Sequence, residues 1–166
     1  ERTALRAQCA TAGTVMAARL ALEHGIACNT AGGSHHANSR QGAGFCTFND
    51  VAVAARVLLA DGEIGQALVL DLDVHQGDGT AEIFSGDDRV FTASVHNAKN
   101  YPVRKAVSDY DLGLPDGMED LAYLKTLALV LEELRETIMP DIVFYNAGVD
   151  VHRDDRLGRL SLTNRG

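Results

Sequence analysis

The chain has only three cysteines, Cys9, Cys28 and Cys46. An odd number without Cys-x-x-Cys spacing excludes a disulfide framework and a thiolate zinc site, and all three are expected as small buried hydrophobes. Long apolar runs are also missing. No stretch reaches the roughly 18 consecutive apolar residues that a membrane span needs, and no charged-then-apolar signal segment opens the chain. A reducing cytoplasm and no membrane contact are therefore expected. Basic residues are scarce, 15 Lys and Arg against 23 Asp and Glu for a formal net charge of -8. That balance argues against direct nucleic-acid binding and suits a cationic partner such as a lysine side chain or a polyamine. Internal repeats, low-complexity segments and a domain boundary are lacking as well.

What is present is 166 residues with 46% hydrophobic content, enough for the core of one domain spanning 1–166. The first residue is Glu and Gly166 closely follows the strand-like Leu160-Ser161-Leu162, so both ends read as cut and the chain as a fragment. Helical spacing of Ala, Leu, Val and Met predicts a helix over 3–24, stopped by Gly25. A short buried strand is expected at 26–31, and a second helix capped by Asn49 or Asp50 runs through Leu58 to Asp61-Gly62. Buried strands follow at 67–70 and 90–95, separated by a short helix over 80–84 and a turn at 86–88. Residues 97–118 show no sustained period and read as a functional loop. From Glu119, a stripe of Leu121, Leu124, Leu127, Leu131, Leu134 and Ile138 predicts a helix with those residues in the core, ended by Pro140. A further buried strand is expected at 141–147. Alternating helices and apolar strands imply an α/β fold, a mainly parallel sheet with helices on both faces.

Chemistry-bearing residues gather after the strands, where ligands bind in such sheets. Asp71, Asp73 and His75 follow one strand at period two, so extended backbone would turn all three to one side. A lone Asp after a strand is usually a cap or turn former. Two carboxylates with an imidazole ask for a cation, and Asp73, His75 and Asp150 would leave tetrahedral zinc one open position; iron or manganese suits the same donors. His35-His36 also lies past a strand end. A histidine pair without context is usually just hydrogen-bonded, but Asp71 and Asp78 are carboxylates left over from the metal set. Each could accept an Nδ1 proton from one imidazole, which is the equipment for proton transfer to and from water. The glycine-rich Gly42, Gly44 and Phe45 read either as a flexible connection or as one wall of a narrow channel, with Tyr101-Pro102 opposite. His24, His96 and His152 read as structural or surface residues.

Five motifs in order, Gly32-Gly33-Ser34-His35-His36, Gly44-Phe45-Cys46 with Asn49-Asp50, Asp71 to Gly79, Ser94-Val95-His96, and Tyr145 to Asp150 with Asp155-Arg156-Leu157-Gly158, together resemble the zinc-dependent histone deacetylase superfamily. The Tyr145–Asp150 wording and Asn100-Tyr101-Pro102 are most similar to its class IV branch and bacterial relatives. The resemblance implies an arginase/deacetylase fold with a mainly parallel eight-stranded sheet, and zinc, or alternatively iron, on Asp73, His75 and Asp150. It further implies His36 as general base with Asp78, and His35 as electrostatic partner with Asp71. An acyl-lysine tunnel at Gly44, Phe45, Tyr101 and Leu157 is implied too, as is a structural potassium on carbonyls of Asp71, Asp73, His75 and Val95 and the Ser94 side chain. The family's elements before the first helix, and its later loop with an oxyanion-binding tyrosine, have no counterpart here. Losing one such donor costs about 10² to 10³ in rate, so this chain by itself is expected to be weak or inactive. The expected function is hydrolysis of an acyl-lysine or a related acylated amine. The alternatives are a non-catalytic acyl-lysine binding module and a binuclear manganese ureohydrolase, which would want a second Asp cluster where Asp150-Val151-His152-Arg153-Asp154-Asp155 supplies only a partial one.

Overall fold

A computed structural model describes residues 2–166. The elements run α1 (Arg2–His24), α2 (Asp50–Ala60), β1 (Ala67–Asp71), α3 (Asp78–Phe84), β2 (Val90–Asn97), β3 (Tyr110–Leu114), α4 (Asp120–Thr137), β4 (Ile142–Asn146) and a 3₁₀ turn at Val149–Val151. The four strands form one sheet in the order β3-β2-β1-β4, and every pairing is parallel. β1 is a central strand and is buried along its whole length. Its last residue, Asp71, pairs with Ser94 on one side and Asn146 on the other, so β1 and β4 end in register while β2 runs three residues further.

Alternation along the strands sends side chains to two cores. Ala67, Val69, Val90, Ile142 and Phe144 pack under α1 and α2 with Ala54, Ala55, Leu58 and Phe84. Leu68, Leu70, Ala93 and Val95 pack on the other face against Tyr123, Val130 and Leu134 of α4. Helices thus cover both faces, as the alternation of elements requires. Asn49 caps α2, its side chain accepting the Ala52 N–H at 3.0 Å, and Asp61 ends it.

Several expectations fail for identifiable reasons. Residues 26–31 form no strand: Ile26 is 80% exposed, and Asn29 instead donates to the Ala10 carbonyl and the Thr14 hydroxyl, folding this segment back on α1. Cys9 and Cys28 are exposed and Cys46 is half-buried, so none is a core residue. The 97–118 segment contains a strand, β3, whose Asp111 and Gly113 interrupt the apolar signal. His96 lies inside β2, not beyond it. In α4 the buried positions are Tyr123, Val130 and Leu134, while Leu121, Leu124 and Leu131 of the expected stripe are exposed. β4 is buried only at alternate positions, with Val143 and Tyr145 open on the sheet's edge. α3 begins at Asp78, a half turn earlier than expected.

Candidate active site

β1 stops at Asp71 and the chain bends through residues 73–75, so the period-two projection does not apply beyond Asp71. What brings the residues together is a set of side-chain bonds to backbone amides. Asp71 Oδ1 accepts the Asp73 N–H at 3.1 Å, Asp73 Oδ1 accepts the His75 N–H at 2.8 Å, and Asp150 Oδ1 accepts the Val74 N–H at 3.0 Å. Each carboxylate therefore tightens the turn that presents the next polar group. Gly148 precedes Asp150 closely, and a Cβ there would fall 2.5 Å from Asp73 Oδ2 and 2.6 Å from its Cα, so only glycine lets the two segments approach.

Asp73, His75 and Asp150 each offer one donor atom within 4.8 Å of the others. Both carboxylates lie 2.9 Å from His75 Nδ1. Hydrogen bonds donated to Asp150 and Asp73, opposed by burial, raise the His75 imidazole to about 9. Two carboxylates on one imidazole hold a cation in place, either a proton or a metal, and the donor set fits zinc or iron(II). Among the described residues this is the one cluster of three such groups that meets that geometry. Asp154 is exposed, and Asp155 Oδ1 is engaged by the Leu157 and Gly158 N–H groups at 2.7 and 2.8 Å, so neither joins it.

His35 and His36 stand beside this cluster. His35 Nδ1 is 2.6 Å from Asp71 Oδ2, and His36 Nδ1 is 2.6 Å from Asp78 Oδ1. The two Nε2 atoms converge to 3.1 Å. His35 Nε2 lies 3.8 Å from Asp73 Oδ1, which ties the histidine pair to the metal-donor set. Burial works against protonating His35, but the charge and hydrogen bond of Asp71, helped by Asp73, outweigh it and raise this imidazole to about 9. The N-terminus of α2 holds the pair from behind. Asp50, fully buried, accepts the Gly33 and Ser34 N–H groups at 3.1 and 2.7 Å, while Asn49 Nδ2 reaches the Ala37 carbonyl at 3.1 Å and Thr80 Oγ1 at 2.9 Å. Asn146 donates to Asp71 Oδ2 at 3.2 Å. Asn49, Asn146 and Asn100 lie within the motifs that carry the family resemblance, but the sequence reading gave none of them a role in supporting the site.

Two expected channel residues flank the His36 ring. A Cβ on Gly44 would lie 2.3 Å from His36 Cδ2, so the Gly44 backbone rests directly on the imidazole. On another side the Tyr101 ring meets it edge-on, with centroids 4.8 Å apart. Ala43 and Cys46 exchange backbone bonds around Gly44 and Phe45, both at positive φ, which is the dihedral signature of a two-residue type I′ hairpin with Phe45 fully exposed at its tip. Positive φ at a Phe costs of order 1–3 kcal/mol. Leu157 is exposed at 64%. Ser94 lies within 3.0 Å of His96 Nδ1, and burial pushes His96 below the usual histidine range, consistent with a structural role. His24 is exposed and His152 half-exposed. A hollow of about 650 Å³ opens behind Gly148 between Tyr123, Leu127, Tyr145 and Leu162 and includes none of the three donors.

A model of the histone deacetylase domain matches residues 1–166. The chain belongs to the histone deacetylase domain family. It is 55% identical over 157 residues to an uncharacterised protein of Picosynechococcus sp., a match covering 95% of this chain and 52% of that protein. It is 34% identical over 157 residues to histone deacetylase 2 of Arabidopsis thaliana, covering 93% of this chain and 41% of that one. A crystal structure of a histone deacetylase homolog complexed with SAHA superposes with a TM-score of 0.84 at 33% identity, covering 93% of this chain and 45% of that one. Acetylpolyamine aminohydrolase from Burkholderia pseudomallei gives a TM-score of 0.74 at 30% identity, covering 91% and 48%. The fold is therefore the α/β deacetylase fold, and the chain spans about half the length of these relatives or less. No helix among the described residues is long and apolar enough to cross a membrane.

Proposed function

We propose that the protein hydrolyses the amide of an acyl-lysine peptide or of an acylated small amine, with zinc held by Asp73, His75 and Asp150. The observation that carries this reading is the placement of two separately oriented His–Asp pairs beside that three-donor cluster at one edge of the sheet. Zinc, when bound, supplies Lewis-acid polarisation of the amide carbonyl and lowers the pKa of water toward about 7; iron(II) can take its place. His36 is the general base and then the general acid. Its Nδ1 is engaged by Asp78, so Nε2 is the atom that takes a proton from water and returns one to the leaving amine. His35, held protonated by Asp71, supplies a positive charge beside the reacting carbonyl.

Gly44, Phe45, Tyr101 and Leu157 form the acyl-lysine channel in this reading, supported by the contacts of Gly44 and Tyr101 with the His36 ring. A structural potassium takes carbonyls of Asp71, Asp73, His75 and Val95 with the Ser94 hydroxyl. In support, Asp71 and Ser94 are in register, and no described N–H or side-chain donor reaches the carbonyls of Asp73 and His75. The Tyr145–Asp150 wording with Asn100-Tyr101-Pro102 aligns the protein with the class IV branch and bacterial members, acting in the cytoplasm.

The test is His36→Ala in the complete, zinc-loaded protein, assayed on acetyl-lysine peptides and acetylpolyamines. Turnover falls by about 10² to 10⁴ with zinc content unchanged by elemental analysis; undiminished hydrolysis overturns the role of His36. Peptide binding without product in the unsubstituted protein identifies a binding module instead.

A further inference from the structure

Asn100 is buried between two segments that carry proposed channel residues. Its Nδ2 donates to the Leu157 carbonyl at 2.6 Å, and its Oδ1 accepts the Arg159 N–H at 3.1 Å. With both ends of the amide engaged by backbone groups of opposite polarity, its orientation is set by the bonding pattern. These bonds grip the far segment across 57 and 59 residues of sequence. On the near side, the Asn100 N–H is held by Asn97 Oδ1 at 3.0 Å. Lys105 Nζ donates to the carbonyls of Asn100 and Pro102 at 2.5 and 2.7 Å, closing the turn that carries Tyr101. The same Nδ2 lies 3.5 Å from His75 Nε2, on the side of the ring opposite the two carboxylates.

No other side chain described at this site joins these three parts. Lys105 binds only its own turn, and Asp155 only the 157–158 backbone. Tyr101 and Leu157 both lie outside regular structure, so no sheet or helix ladder fixes their separation. We infer that Asn100 is the positioning residue that sets the gap between Tyr101 and Leu157, and thereby the acyl length the site accepts. This inference rests on the deacylase reading above. A gap held by hydrogen bonds at both ends of one buried amide discriminates by chain length, because one methylene too many meets a wall that resists moving. Releasing the clamp lets the wall move and removes that discrimination.

The test compares Asn100→Ala and Asn100→Asp with the unsubstituted complete protein, zinc-loaded, on acetyl-, butyryl- and hexanoyl-lysine peptides. Asp keeps the acceptor for the Arg159 N–H but has no donor for the Leu157 carbonyl. Both variants shift the acetyl-to-hexanoyl ratio of kcat/KM by about tenfold toward the longer chain, chiefly through KM. Hydrogen exchange supplies a readout that needs no turnover. In both variants amides at 99–105 and at 156–160 exchange faster together, while α2 amides are unchanged, which also certifies the fold. An unchanged acyl-length ratio in an active enzyme, or faster exchange confined to 99–105, overturns the inference. If the unsubstituted protein hydrolyses none of the peptides, the deacylase reading and the acyl-length role fail together. The exchange result then upholds or overturns the clamp by itself.

Discussion

The two His–Asp pairs share one geometry and differ in their surroundings. Both place an Nδ1 2.6 Å from a carboxylate oxygen. Asp71 ends a central strand, has 4% of its side chain exposed, and also binds Asn146 and the Asp73 N–H. Asp78 opens a seven-residue helix with 17% of its side chain exposed. His35 faces the metal-donor set, whereas His36 faces the Gly44 backbone and the Tyr101 ring. The carboxylates therefore differ in depth, while their imidazoles are almost equally buried, at 5% and 6% of the side chain exposed. In the proposed reaction the Asp71 pair keeps a charge and the Asp78 pair faces the substrate.

Asp71→Asn against Asp78→Asn breaks this comparison most directly. Removing the partner of a buried charge costs about 3 to 5 kcal/mol, so Asp71→Asn should approach that loss. Asp78→Asn, at a carboxylate that water reaches more easily, should cost about 1 to 2 kcal/mol. Denaturant unfolding of the metal-free protein measures both, and equal losses would remove depth as the explanation.

The pH dependence sharpens the same point. Folded His35 binds its proton more tightly than the ordinary 6.5, up to about 9. Its stabilising contribution is complete below about pH 6.5 and is lost as pH rises through 9, on the order of 3 kcal/mol in all. His75 is raised in the same direction without metal. His35→Gln should therefore flatten part of the stability loss between pH 6.5 and 9 in metal-free protein. An unaltered slope would show that the Asp71 charge is not stabilising an imidazolium there. The smallest effect belongs to Asn146→Ala, which removes one hydrogen bond to Asp71 and should cost about 1 kcal/mol in the same unfolding measurement.

Most of the frame was legible in the sequence, and so was the gathering of polar residues after its strands. Asp73, His75, Asp150 and the histidine pair stand out because strand ends concentrate polar residues after apolar runs, a contrast visible without coordinates. Which pairs form was legible only by resemblance, since the turn that swings residues 73–75 is made by side-chain bonds and not by any periodicity. β3 escaped notice because an edge strand need not be apolar on both faces, and Asp111 serves Gln76 Nε2 at 2.7 Å instead of the core. The α4 face was misjudged because leucine at helical spacing does not say which stripe the sheet touches; Tyr123 and Val130 lie between the leucines chosen. Asn100 was visible as part of a family motif but not as a clamp, since a buried bridging amide looks like any loop asparagine.

The bond from the Val74 N–H to Asp150 Oδ1 spans 76 residues of chain. A cation gripping His75 and Asp150 would therefore close a loop comprising nearly half of this sequence, acting as a removable staple on the unfolded chain. Metal affinity would then report on folding of the whole sheet, β1 through β4, and chelation would loosen segments far from any donor atom.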